Sequence, residues 1–144
     1  MRQDAKVTGA QAWRDALHIK GLAVDRAGSH STTRAVRAVQ REVQLTLRIY
    51  THAPGTPTTS PPGGPPAWIT GGLADSVHVT PTVLRRRGVH VGRVGPRAVQ
   101  SRAQELGYRR GKLPPRPYLK PTTRAMKATI RRIYRDSWAE AMRV

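Results

Sequence analysis

Four prolines fall within eight residues in Pro114-Pro115-Arg116-Pro117-Tyr118-Leu119-Lys120-Pro121, which leaves few backbone conformations open. Pro117 biases Arg116 towards an extended shape. Pro121 suits the first turn of a helix, where no amide donor is required. Upstream, Gly107 in Glu105-Leu106-Gly107-Tyr108 stops whatever helix precedes it. The stretch therefore predicts a stiff connector that aims the chain into a last helix and holds Tyr118-Leu119 just before it. Such a clamp suits a docking surface better than a reaction centre. It also reads as an ordinary proline-rich loop between two helices.

What surrounds the clamp is strongly basic. The 144 residues carry 26 Lys and Arg against 8 Asp and Glu, a formal net charge of +18. A domain of ordinary size with this charge repels itself, and polyanions or acidic protein surfaces are its natural neighbours. Phe is absent and aromatics make up only 5%, so the core must be a thin one of Val, Leu, Ile and Ala. A thin core and high charge together point to stability gained through assembly. Cysteine is absent, which removes disulfides, thiol nucleophiles and thiolate-bound metal. No apolar run approaches the roughly 18 residues of a membrane span. Met1-Arg2-Gln3-Asp4 lacks an apolar leader core, so a secretory signal is not expected.

Residues 1–9 are polar and expected to fray. Gln11 to Ile19 has a short amphipathic pattern through Trp13, Ala16 and Leu17, ended by Gly21, and Leu22 to His30 reads as a connector. Residues 1–30 thus form an N-terminal segment, and 31–144 one α+β domain. Ser31-Thr32-Thr33 makes a good N-cap cluster. Behind it Val36, Val39, Val43, Leu47 and Tyr50 share one stripe of a helix from about Thr33 to Tyr50, with Arg34, Arg37, Arg41 and Arg48 opposite. Residues 51–72, rich in Pro and Gly, predict a long loop or arm that reaches a neighbouring subunit.

Trp68 to Ser76 reads as a turn or a single helical turn. Val77-His78-Val79-Thr80 alternates as a strand does, with Thr82-Val83-Leu84 continuing it past Pro81. Arg85-Arg86-Arg87-Gly88 makes the turn, and Val89 to Val94 returns, closed by Gly95-Pro96; His78 and His90 would face each other. Ala98 to Leu106 predicts a short helix and Thr122 to Met142 a long one. The long helix has Met126, Ile130, Ile133, Tyr134 and Ala141 on its apolar side and Arg124, Lys127, Arg131 and Arg135 on a basic stripe. The fold class expected is α+β, a small antiparallel sheet packed by two long amphipathic helices.

Catalytic signatures are missing. The five histidines show no paired metal spacing, the acids are scattered, and neither a nucleophile elbow nor a phosphate-binding loop occurs. An enzyme is not expected, and no cofactor is implied. No zinc finger, RNA-recognition strand or helix-turn-helix is visible either, so the diffuse charge suits phosphate backbone without sequence readout.

The order of segments carries a resemblance. An amphipathic helix precedes Ala53-Pro54. Then come Thr70-Gly71-Gly72-Leu73-Ala74-Asp75-Ser76-Val77, a hairpin and Gln104-Glu105-Leu106-Gly107. Pro115-Arg116-Pro117-Tyr118-Leu119 leads into the final helix. This resembles the tail-completion, or tail-component, neck proteins of long-tailed bacteriophages over about residues 33–142. Val99-Gln100-Ser101 stands where that family often has an aromatic-alanine pair, and the loop before Thr70 is longer than usual.

The resemblance implies a structural virion protein at the head–tail junction, assembled in the host cytoplasm as a homo-oligomeric ring, hexameric by expectation, away from membranes. Its neighbours would be head-completion and tail-tube proteins, with genomic DNA passing through the lumen. It leaves open a completion ring, a tail terminator or an adaptor. It implies a subunit or ring interface through Pro54, Trp68, Ile69, Leu73, Pro115, Pro117, Tyr118 and Leu119. Contacts to channel DNA or an acidic partner would come from Arg85, Arg86, Arg87, Arg124, Lys127, Arg131 and Arg135. The alternative is a small basic nucleic-acid-binding protein of ribosomal or nucleoid type.

Overall fold

The computed structural model describes residues 9–80, 83–86 and 89–143. The expected fraying of residues 1–8, the strand continuation at Pro81-Thr82 and the candidate Arg87 lie outside the described residues.

One helix dominates. α1 runs Ala10–Thr46, 37 residues, or about 55 Å. It replaces the expected short helix, connector and second helix, so the expected boundary at 30/31 falls within it. Two sequence signals misled, the Gly21 stop and the Ser31-Thr32-Thr33 cap. Gly21 does not stop the helix. Gly28 is buried where a Cβ would stand 2.6 Å from the His90 ring, so it permits close packing and ends nothing. Ser31, Thr32 and Thr33 do not cap. Their hydroxyls donate back to the carbonyls of Gly28 (3.1 and 2.7 Å) and Ser29 (3.1 Å), satisfying themselves inside the helix. The Thr32 hydroxyl also bonds the Tyr134 hydroxyl at 2.7 Å, so the apparent cap is a tertiary contact.

The fold class is α+β, as the sequence led us to expect. After α1 come α2 (Gly72–Asp75), β1 (Val77–Val79), β2 (Leu84–Arg86), β3 (Val89–Val91) and β4 (Val94–Pro96). α3 (Ser101–Leu106), α4 (Leu119–Ala125) and α5 (Lys127–Met142) complete the chain. The hairpin is two short antiparallel ladders, β1 with β4 and β2 with β3. Arg85 and Arg86, expected in the turn, are strand residues opposite His90 and Val89. His78 stands opposite Gly95 and not His90, because the strands pair two-and-two with β2–β3 outermost. The long last helix is interrupted at Met126, which caps α4 and opens α5.

The core is thin. Val39, Val43 and Leu47 from α1 meet Ala74, Val77 and Tyr118, flanked by Trp68, Leu73, Val94, Leu119, Met126 and Ile130. α5 and the hairpin both pack on α1. Gly92 brings the hairpin close, since a Cβ there would lie 2.8 Å from Val36. His90 Nε2 meets Asp25 Oδ1 at 3.2 Å and ties β3 to the same helix. Gln40 donates to the Val77 carbonyl at 2.8 Å and Gln44 to that of Ala74 at 3.3 Å, fixing α2 and β1 against α1.

The long loop is closed, not extended. Trp68 N–H donates to the Tyr50 carbonyl at 2.6 Å and His52 N–H to that of Trp68 at 3.1 Å, so its two ends are tied together. Ser60 is buried and its hydroxyl donates to the Pro65 carbonyl at 2.6 Å. The expected arm therefore folds onto its own chain, because its backbone finds partners there.

Candidate functional site

The clamp is held by a carboxylate. Glu105 on α3 accepts the backbone N–H groups of Tyr118 (2.8 Å) and Leu119 (3.0 Å) on Oε2 and of Lys120 (3.0 Å) on Oε1. These are orphan donors at the start of α4, which has no side-chain cap at its own N-cap Tyr118. A carboxylate suits them by charge and by geometry. α3 reaches this position because Gly107 turns the chain at φ 78°, where a Cβ would crowd Leu113 and Pro115 at 3.0 Å. The turn closes through paired Tyr108 and Leu113 hydrogen bonds of 2.9 and 3.1 Å. Arg116 N–H then donates to the Gln104 carbonyl at 2.7 Å, and its guanidinium to the Ser60 carbonyl at 3.2 Å, joining clamp to loop.

Tyr118 is 0% exposed. Its contacts are with its own core, so it is not the surface anchor expected at a subunit interface. Its hydroxyl is buried without a hydrogen-bond partner among the described residues, as is Gln104 Oε1. Burial, and after it the charge of Glu105, push the phenol up from 10.0 to about 12. The folded state thus holds this proton more tightly than the unfolded chain. Stability from this group is complete below pH 10 and is lost as pH rises towards about 12. The loss amounts to about 3 kcal/mol. Alkaline titration followed by ultraviolet absorbance and circular dichroism is expected to show one phenolate appearing late, together with unfolding.

Trp68, Leu73 and Leu119, expected at the interface, also pack against the subunit's own core. Trp68 is covered by the Arg48 guanidinium 5.0 Å from its ring centroid. Pro117 is partly buried, while Pro54, Ile69 and Pro115 are exposed. Arg124, Lys127, Arg131 and Arg135 are all exposed, the last three on one stripe of α5 shared with half-exposed Trp138. Arg135 also meets Asp136 at 3.3 Å in an exposed pair. Arg85 and Arg86 stand apart on β2.

Sequence reasoning missed a second feature, the free end of α1. α5 finishes where Lys20 Nζ donates to the Met142 carbonyl at 3.2 Å. α1 continues past that point, with Trp13 70% and Leu17 61% exposed. Ala12, Trp13, Ala16 and Leu17 line an open apolar groove there with Lys20 and Met142. Trp13, Leu17 and Val24 occupy the helical face that, further along, Gly28, Ser31, Ala35 and Val39 turn into the protein. Spacing could have revealed the continuous face, but not that its first third is uncovered.

Among the described residues, no group of His, Asp and Glu could hold a metal ion. No helix among them is long and apolar enough to cross a membrane. Comparison with family models, with curated proteins and with solved structures found no match to this chain.

Proposed function

We propose that this chain is a non-catalytic structural subunit of a bacteriophage neck, assembling as a homo-oligomeric ring between head and tail with DNA passing through its lumen. One observation carries the reading. Three of the segments that carry the resemblance, Thr70–Val77, Gln104–Gly107 and Pro115–Leu119, are far apart in sequence yet converge on one junction. Ala74, Val77 and Tyr118 share the core. Glu105 caps Tyr118. Thr70 to Ala74 and Gln104 line one small cavity of about 140 Å³. A junction assembled from those segments supports a common architecture more strongly than their order alone. The net charge of +18 supports a neighbour rich in phosphate or carboxylate.

The test is mass photometry and electron microscopy of the full chain, alone and with the head-completion and tail-tube proteins of its own phage. A closed ring of about six copies, the size implied by the resemblance, is the expected result. A strictly monomeric particle under assembly conditions overturns the reading.

The exposed stripe Lys127, Arg131 and Arg135 beside Trp138 favours a second reading, direct binding to nucleic acid by phosphate contact and base stacking. That reading expects tight binding to free DNA or RNA as a monomer, with log K falling linearly with log salt.

A further inference from the structure

The outer side of α1 carries a line of like charge. At about 100° of turn per residue, Arg34, Arg37, Arg41 and Arg48 fall within a sector about 60° wide, and no residue of another type between Arg34 and Arg48 enters it. All four are exposed. The sector lies across the helix from Val39 and Val43, which are buried in the core. Arg48 sits on the closing turn, where its N–H still donates to the Leu45 carbonyl at 2.9 Å. From Arg34 to Arg48 the line is about 21 Å long.

No acid on the helix is placed to neutralise it. Glu42 is the single acid between Arg34 and Arg48, and the residues three and four away from it are Ala38, Val39, Leu45 and Thr46. It therefore has no basic partner at the spacing that forms ion pairs along a helix. Among the described residues, none of the four guanidinium groups meets a carboxylate. Arg37 and Arg41 stand four residues apart, the spacing at which like charges destabilise a helix, and Arg34 adds a third. An anion laid along the line relieves that repulsion. Towards the N-terminus Arg26 and His30 continue the line, but there Glu140 lines a shallow cavity with them. On α5 the Arg135 guanidinium is already met by Asp136.

The make-up of the sector selects among anions. Its cations are all arginine, whose planar fork suits phosphate and carboxylate alike. A protein partner also needs an apolar centre to its interface. No apolar side chain lies within the sector, although exposed Leu45 stands beside it. Single-stranded nucleic acid is held by stacking its bases on aromatic rings, and the sector contains none. Arg48 already stacks on Trp68 at 5.0 Å, which steadies its fork and leaves the N–H edges for partners in its plane. A duplex presents one phosphate charge per about 1.7 Å of its axis, a row denser than the arginines themselves.

We infer that the Arg34–Arg37–Arg41–Arg48 face of α1 binds the phosphate backbone of duplex nucleic acid without reading its bases. The inference goes beyond the proposed ring and does not require one.

The test combines Arg34→Gln, Arg37→Gln and Arg41→Gln in one full-length variant, since Gln is a good helix former. A control variant combines Arg102→Gln, Arg109→Gln and Arg110→Gln, which removes the same charge from exposed positions on and after α3. Fluorescence anisotropy measures binding to a short mixed-sequence duplex DNA at about 50–200 mM salt. The parent is expected to bind with log K falling linearly with log salt. In the α1 variant that slope is expected to be shallower by about 2.7, at about 0.9 per lost contact, with binding near 0.1 M salt weakened at least about a hundredfold. The control is expected to change the slope by less than about 1, and both variants to keep the parent's circular dichroism spectrum. Equal losses in the two variants reduce the effect to bulk charge and overturn the assignment. A parent that does not bind the duplex overturns it too. An α1 variant that keeps duplex binding but loses binding to polyglutamate overturns it in favour of an acidic protein partner. Mass photometry separates this face from the ring. Rings that form while the α1 variant binds duplex as the parent does overturn the face and leave the neck reading standing. A strictly monomeric parent whose duplex binding is lost in the α1 variant supports the face and overturns the ring.

Discussion

Tyr118→Ala is expected to lose about 4 kcal/mol of stability, while Tyr118→Phe loses none. The ring is the largest fully buried side chain of the core and touches elements from both ends of the chain. Truncation leaves a cavity bounded by Val43, Val77 and Ala74, and α1 is too long and too well anchored to collapse into it. The hydroxyl contributes differently. It is buried with no partner among the described residues, so removing it relieves a desolvated group. Urea unfolding of the three proteins measures both effects. A Phe variant as unstable as the Ala variant contradicts this account of Tyr118. The Phe variant also lacks the group responsible for the alkaline loss, so its stability should hold to higher pH than that of the parent.

Glu105→Ala carries the second large expectation, a loss of about 3 kcal/mol. Three backbone donors lose one acceptor group, and the first turn of α4 loses the negative charge at its N-terminus. Glu105→Gln keeps an acceptor oxygen but turns an amide N–H₂ towards the remaining donors, so an intermediate loss of about 1–2 kcal/mol is expected. Amide hydrogen exchange gives the local readout. Tyr118, Leu119 and Lys120 should lose protection in both variants before the α1 amides do. Equal protection of these three amides in parent and Glu105→Ala would remove the carboxylate from its assigned place.

The contrast between what was legible and what was not follows the range of each interaction. Val39, Val43 and Leu47 announce their buried stripe by spacing alone, and that face is buried over this half of α1. The Lys127–Arg131–Arg135 stripe is readable for the same reason, as is a helix start within a turn of Pro121. Local signals failed where a distant group outweighed them. The Ser31-Thr32-Thr33 cluster looks like a cap until Tyr134, 102 residues from Thr32, supplies a hydroxyl. Leu22 to His30 looks like a connector until the His90 ring arrives against Gly28 in its middle. Arg85-Arg86 looks like a turn until the pairing with His90 and Val89 extends the hairpin. Glu105 was part of a recognised segment, but a carboxylate 13 to 15 residues before the amides that it caps leaves no periodic trace. Exposure of Trp13 and Leu17 depends on where α5 ends relative to α1, which no spacing rule encodes.

The knotting together of residues 50–52 with Trp68 has a practical corollary. A foreign peptide spliced in after Pro57 would lie inside a loop whose two ends are already fastened through the His52 and Trp68 amides. Each doubling of such a loop costs only about 0.6 kcal/mol. The site therefore suits an epitope or a bulky fiducial, visible by electron microscopy on every copy of an assembly, while the helices and the hairpin stay undisturbed.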